Sequence, residues 1–293
     1  MFTGSYVAIV TPFKNGRVDE KALGELIEWQ IARGTNGIVP CGSTGESATL
    51  THEEHDRVIA FTVEAVRRRV PVIAGTGSNA THEAIRLTRH AKSVGVDGAL
   101  LVCPYYNKPT QEGLYLHFEA IAREVDLPLI LYNIPGRCGV NMAPQTIARL
   151  SRMTNIVGVK EASGSLGQMS EIIAACDERF LVLSGDDGLT IPLMAIGGKG
   201  VISVTANVAP AETAEMVGAA LKGDWDRARR LHYRLQPLTS ALFLETNPIP
   251  VKTALGMMGR CADELRLPLC AMSEGPKLQL RQALTQFGLL SPS

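Results

Sequence analysis

Lys160 sits where an apolar run, Ile156-Val157-Gly158-Val159, gives way to Glu161-Ala162-Ser163-Gly164. A buried strand seldom ends on an ammonium group without a purpose, because burying an unpaired charge is costly. An amine kept partly neutral by its surroundings can attack a ketone or aldehyde and form a Schiff base. The plainer alternative is a lysine that snorkels to solvent or pairs with Glu161. Other polar residues stand at comparable junctions. Ser43 and Thr44, flanked by Gly42 and Gly45, offer hydroxyls and backbone N–H groups able to cradle a carboxylate. Tyr132 ends the run Leu129-Ile130-Leu131 and can move a proton if hydroxyls connect it to solvent. A rim tyrosine with a satisfied hydroxyl is the other option. Arg137, after Pro135-Gly136, is expected in a short loop, either gripping a carboxylate bidentately or merely solvated.

The elements that must position these residues repeat along the chain. Tyr6–Val10, Gly37–Val39, Val72–Ala74, Ala99–Val102, Leu129–Leu131, Ile156–Lys160, Leu181–Leu183 and Val201–Ser203 are short apolar runs, the pattern of strands buried on both faces. Amphipathic segments separate them. One starts at Asp19, and another opens with Thr51 and Glu54 spaced as a capping box. The eighth helix is predicted over Ala209–Leu221. Eight strand–helix units close most economically as an α/β fold of the (β/α)8 TIM-barrel type, with no sheet edge left to protect. An open doubly wound sheet is the alternative, but no G-x-G-x-x-G follows the first strand. In a barrel, Ser43, Thr44, Thr76, Tyr105, Tyr106, Tyr132, Lys160, Gly185 and Ser203 converge on the C-terminal face of the strands, a set suited to a small organic acid.

The strand signals stop after Gly223, which divides a barrel over 1–223 from a helical region over 224–293. A helix is predicted from Trp225 to about Leu244, kinked or split by Pro237. Asn247-Pro248-Ile249-Pro250 then reads as a rigid break, followed by a short helix from Val251 and a last one over Lys277–Phe287. The region is expected to pack on one side of the barrel, with Ser291–Ser293 frayed.

Composition narrows the function further. Lysine plus arginine equals aspartate plus glutamate, 29 of each among 293 residues, which argues against a nucleic-acid partner drawn by bulk charge. The one dense basic run, Arg67-Arg68-Arg69, reads as a solvated helix cap. The six cysteines form no C-x-x-C pair, so a reducing compartment is expected, although Cys41 beside the Gly42–Gly45 loop is a candidate reactive thiol. No basic-flanked leader and no apolar stretch of about 20 residues stands out, and the protein is expected to be cytoplasmic. His52 and His55 form H-E-E-H, not the zincin pattern, and Asp186-Asp187 lacks further ligands, so no metal or other cofactor is expected. The aspartates read instead as residues that shape their loop. No Walker-type loop is present.

Tyr132-Asn133-Ile134-Pro135-Gly136-Arg137 and Gly158-Val159-Lys160-Glu161-Ala162-Ser163-Gly164 together resemble the pyruvate-dependent class I aldolases and lyases. Gly42-Ser43-Thr44-Gly45-Glu46-Ser47, Ala74-Gly75-Thr76-Gly77, Pro104–Pro109 and Asn247–Lys252 extend the resemblance nearly end to end. It is greatest to the branch that condenses pyruvate with L-aspartate 4-semialdehyde to give 4-hydroxy-tetrahydrodipicolinate, in lysine and diaminopimelate biosynthesis. The resemblance implies that Lys160 forms the pyruvate Schiff base and that Tyr132 is the acid/base, in a relay with Ser43 and with Tyr106 of a neighbouring subunit. It further implies that Thr44 binds the pyruvate carboxylate and Arg137 the carboxylate of the semialdehyde. Gly185 and Ile202 would line the Schiff-base pocket through their carbonyls. A second, allosteric site for L-lysine is implied at Ser47, Ala48, His52, His55, Asn79, Glu83 and Tyr105. The implied assembly is a homotetramer, a dimer of dimers.

The relay position that is usually threonine in this branch is Ser43 here. Serine keeps the hydroxyl but loses the methyl that restricts its rotamer. Sialic-acid lyases also carry serine there, so an N-acetylneuraminate lyase is an alternative, whereas Arg137 favours a carboxylate-bearing aldehyde. A phosphate-binding isomerase is disfavoured because Gly197-Gly198-Lys199-Gly200 precedes the last strand. The retained lysine, tyrosine and arginine count against an inactive barrel that only binds or regulates.

Overall fold

A computed structural model of the chain describes residues 2–291. The eight apolar runs are strands, and all pair in parallel. They are β1 (Gly4–Ala8), β2 (Gly37–Val39), β3 (Ile73–Gly75), β4 (Gly98–Val102), β5 (Leu129–Asn133), β6 (Ile156–Glu161), β7 (Leu181–Ser184) and β8 (Gly200–Ser203). Their order around the sheet is β2-β1-β8-β7-β6-β5-β4-β3. A parallel bridge from Ile38 to Val72 joins the two end strands, so the sheet closes into the barrel that the alternation predicts.

Each strand is followed by a helix: α1 (Glu20–Ala32), α2 (His52–Val66), α3 (Thr81–Ser93), α4 (Gln111–Glu124), α5 (Pro144–Leu150), α6 (Leu166–Ala175), α7 (Thr190–Ala195) and α8 (Pro210–Leu221). Local chemistry sets their starts. Asp19 accepts from Ala22 N at 3.1 Å, and Thr51 and Glu54 close the capping box at 3.2 and 3.0 Å. Arg67 and Arg69 are not simply solvated, for both reach Glu28 of α1, at 3.1 and 2.6 Å.

Strand alternation makes two cores. Tyr6, Ala8, Val39, Ile73, Leu100, Ile130, Tyr132, Leu183 and Ile202 fill the barrel interior. Val7, Ile38, Ala74, Leu101, Leu131, Val159, Val182 and Val201 face outward against the helices. Because the period is two, Tyr132 and Lys160 point inward, whereas their successors Asn133 and Glu161 point out.

After β1 a hairpin joins Phe13–Lys14 to Arg17–Val18 through Asn15-Gly16, both turn residues having positive φ (53° and 76°), as a tight hairpin turn requires. Two local expectations need correction. Arg137 lies in a single helical turn, Pro135–Cys138, not in a loop. Pro237 neither splits nor ends its helix, α9 (Trp225–Ala241), in which buried Leu231, Leu235 and Leu238 anchor residues on both sides of the proline.

The last helices are α10 (Ile249–Met257) and α11 (Glu274–Phe287). This region does more than cover one flank. Lys252 Nζ of α10 donates to Glu46 Oε1 and to the Glu264 carbonyl, both at 2.6 Å, with the Lys252 and Glu46 side chains almost fully buried. Arg266 grips Glu54 bidentately, at 2.6 Å to each oxygen. The Phe13 ring lies under both cations, 4.1 Å from Lys252 Nζ and 4.3 Å from Arg266 Cζ. These contacts bind the C-terminal segment to the loop after β2, at the mouth of the barrel. Among the described residues no helix is long and apolar enough to cross a membrane. Pro292 and Ser293, expected to fray, lie outside the described residues.

Candidate active site

β5 and β6 pair so that Tyr132 and Lys160 are direct neighbours. The Lys160 side chain is buried, with Nζ 4.2 Å from the Tyr132 ring centroid. Burial disfavours its charged form and lowers its pKa to about 8; the Asp187 carboxylate opposes this and the Arg137 guanidinium adds to it. Glu161, the partner considered for Lys160, faces away and accepts from Asn133 Nδ2 at 3.0 Å and from Ser163 N at 2.7 Å. Lys160 is therefore neither snorkelling nor paired with its neighbour. Tyr132 is pushed up to about 12 by burial, with Arg137 and the Ser43 hydroxyl pulling the other way.

Gly185 follows β7 and lies flat against the lysine. A Cβ there would stand 3.0 Å from Lys160 Cε and 2.7 Å from Ala162 Cβ. Ile202 is buried in the barrel interior. A cavity of about 430 Å³ is lined by Ser43, Ile134, Arg137, Cys138 and Asn247. Ser47, Ala48, His52, His55, Glu83 and Tyr105 line the same cavity elsewhere. Thr44 is buried beneath the Asn247 amide, whose Nδ2 donates to Thr44 Oγ1 at 3.0 Å. Arg137 is an exposed residue, yet its Nη2 donates to the Asn247 carbonyl at 2.7 Å.

His52 Nε2 meets Glu83 Oε1 at 2.8 Å, and Ser78 donates to the other Glu83 oxygen. The Ser78 hydroxyl, with His52, holds the Glu83 carboxyl below its usual range. Burial pushes His55 down to about 4, so it is neutral, and its Nε2 bonds the Gly75 carbonyl at 3.0 Å. Asn79 is not among the residues that line this cavity; its backbone carbonyl accepts from Asn107 Nδ2 at 2.8 Å.

Some predicted residues are elsewhere. Tyr106 is 89% exposed, with φ +72°, and does not line this chain's own cavity, in keeping with a side chain expected to act in a neighbouring subunit. Thr76 is fully buried and bonds Thr88 of α3 at 2.8 Å, so it does not face the barrel mouth. Cys41 is buried too, and burial pushes its thiol far up, which removes it as a reactive group. Ser203 donates to Asp187 rather than standing free.

Two residues escaped the sequence reading. Asp187 is not just a loop former: its buried carboxylate accepts from Ser203, from Val204 N at 2.9 Å and from Thr205 N at 3.4 Å, and it is the acidic influence on Lys160. Its position after β7, at the face where barrels carry their chemistry, was the available signal. Asn247 was marked only as the first residue of the Asn247–Lys252 block; its contacts with Thr44 and Arg137, across 203 and 110 residues of sequence, had no signal. Among the described residues no group of three or more histidine, cysteine, aspartate or glutamate side chains could hold a metal.

The family model of dihydrodipicolinate synthetases matches residues 1–287. The chain belongs to the dihydrodipicolinate synthetase family. The 4-hydroxy-tetrahydrodipicolinate synthase of Syntrophobacter fumaroxidans is 62% identical over 291 residues, 99% of this chain and all of that one. A solved dihydrodipicolinate synthase from Aquifex aeolicus is 56% identical with a TM-score of 0.97, over 98% of this chain and 99% of that one. Another, from Cyanidioschyzon merolae and with lysine bound, is 43% identical with a TM-score of 0.96, over 99% of each chain. Members of the dihydrodipicolinate synthetase family are pyruvate-dependent class I aldolases or lyases, and this chain is an enzyme of that type.

Proposed function

We propose that this enzyme condenses pyruvate with L-aspartate 4-semialdehyde on Lys160, giving 4-hydroxy-tetrahydrodipicolinate for lysine and diaminopimelate biosynthesis. The observation that carries the reading is a buried amine with a pKa near 8, 4.2 Å from the ring centroid of a buried tyrosine that is its register partner on the next strand. The neutral Lys160 amine adds to the pyruvate ketone, and loss of water leaves an imine. Removal of a methyl proton gives the enamine, whose carbon attacks the aldehyde. The α-amino group of the semialdehyde then displaces Lys160 and closes the ring. Tyr132 carries protons in these steps with Ser43, and Tyr106 of a second copy completes the relay. Thr44 holds the pyruvate carboxylate and Arg137 that of the semialdehyde, while Gly185 and Ile202 line the imine pocket through their carbonyls.

The exposed, left-handed Tyr106 supports an assembly in which this side chain enters a partner's cavity, a dimer within a tetramer. All six cysteines are free, in keeping with work in the cytoplasm. Borohydride reduction with pyruvate, followed by peptide mass analysis, tests the chemistry: an adduct on Lys160 is expected. Steady-state assays of both substrate pairs test the aldehyde. Cleavage of N-acetylneuraminate without semialdehyde condensation would overturn the choice.

A second reading concerns the other wall of the cavity. Glu83 with His52 and His55 suits a small ammonium-bearing ligand, and the Cyanidioschyzon merolae relative has lysine bound. We read Ser47, Ala48, His52, His55, Asn79, Glu83 and Tyr105 as the site of feedback inhibition by L-lysine. Titrating lysine into the condensation assay should depress the rate; a flat curve into the millimolar range would dismiss it.

A further inference from the structure

We propose that Asn247 is a positioning residue that fixes the direction of the Thr44 hydroxyl, so that its single proton is presented to the pyruvate carboxylate. The inference rests on Thr44 holding that carboxylate. A threonine hydroxyl has one proton to donate and two lone pairs to accept with. Asn247 Nδ2 donates to Thr44 Oγ1 at 3.0 Å, occupying one lone pair and leaving the proton unspent. Both side chains are buried, Thr44 to 3% exposure and Asn247 to 7%, so water does not compete for this bond.

Asn247 is itself held from two directions. Arg137 Nη2 donates to its backbone carbonyl at 2.7 Å. On its C-terminal side, α10 is fastened by Lys252 to Glu46, two residues beyond Thr44 in the same loop. The amide thus arrives at Thr44 from a segment tied both to the loop it acts on and to the guanidinium assigned to the second substrate. A hydrogen bond turned the wrong way here would set a lone pair against a carboxylate.

Asn247→Asp preserves shape and reverses polarity. The carboxylate can only accept, so it claims the Thr44 proton and adds a negative charge beside the bound anion. The expected result is a pyruvate KM raised about tenfold or more near pH 8, with a smaller change in kcat. The ratio to the parent KM should shrink as the pH falls and the new carboxyl is protonated. Asn247→Ala, which loses the donor without adding charge, should raise the pyruvate KM less and independently of pH. Arg137→Ala should also weaken pyruvate, because it releases the Asn247 carbonyl. Thermal melts accompany each variant.

A pyruvate KM for Asn247→Asp within twofold of the parent, at an unchanged melting temperature, would overturn the proposal. So would an increase that is the same at every pH and equal to that of Asn247→Ala. Thr44→Val separates the two readings. If it leaves the pyruvate KM unchanged, the assignment of Thr44 fails. If it raises the KM and Asn247→Asp does not, the role of Asn247 alone fails.

Discussion

Lys160 Nζ lies 4.2 Å from the centroid of the Tyr132 ring, and the two residues are register partners on adjacent parallel strands. The strand pair, rather than any flexible loop, sets the distance between amine and phenol. The backbone hydrogen bonds on either side, such as Ala162 N to Asn133 O at 2.9 Å, keep that register. A site built on paired strands varies little in geometry, which helps a lysine and its proton carrier act in sequence.

The first prediction concerns pH. Lys160 titrates near 8, so the fraction present as free amine grows as pH rises through that value. Schiff-base formation, followed by borohydride trapping at low pyruvate, should climb with the same midpoint. Asp187→Asn removes the negative charge that favours the ammonium form, and the midpoint should move to lower pH. A midpoint unmoved by this substitution would exclude Asp187 as the counter-charge.

The second concerns Gly185. A methyl group at this position meets Lys160 Cε and Cγ at 3.0 and 3.1 Å and Ala162 Cβ at 2.7 Å. The lysine must shift, and misplacement of a nucleophile by about 1 Å can cost on the order of a hundredfold in rate. Gly185→Ala should therefore lower kcat about a hundredfold while the protein still folds. An enzyme with parental kcat would show that the pocket has slack.

A third prediction addresses the buried pair that fastens the C-terminal segment. Lys252→Met leaves the Glu46 carboxylate buried without its ammonium partner, and should cost about 3–5 kcal/mol of stability in denaturant unfolding. Lys252→Met combined with Glu46→Gln removes both charges and should recover part of that loss. If the double variant is as unstable as the sum of the two singles, the pair does not couple as described.

The fourth follows from two buried histidines. Burial pushes both His55 and His117 down to about 4 from an ordinary 6.5. Below about pH 6.5 the unfolded chain takes up protons that the native state refuses, so stability falls as pH drops from there towards 4. Each histidine contributes a slope of up to about 1.4 kcal/mol per pH unit in that window. Stability curves for His117→Gln should lose one share of the slope; an unchanged slope would mean that His117 is protonated in the native state.

The sequence by itself pointed to the barrel, because eight short apolar runs alternating with amphipathic helices require a parallel sheet covered on both faces, and closure leaves no edge while no G-x-G-x-x-G favours the open form. It also placed Tyr132 and Lys160 at the ends of β5 and β6, since each closes an apolar run. Where it went astray, the deciding interactions were tertiary. Pro237 was expected to kink or split α9; the helix is not split, because buried side chains on both sides of the proline sustain it. Thr76 was expected at the barrel mouth, but a hydroxyl on α3 captures it.

Only the folded chain could decide that Asp187, not Glu161, is the charge that acts on Lys160. Glu161 is adjacent in sequence but lies on the opposite face of the strand, whereas Asp187 comes round the barrel to the same end. Only it could bring Asn247 to Thr44 and Arg137. Hydrogen bonds across 203 and 110 residues leave no trace in local spacing, because chain closure, not composition, puts those atoms within reach.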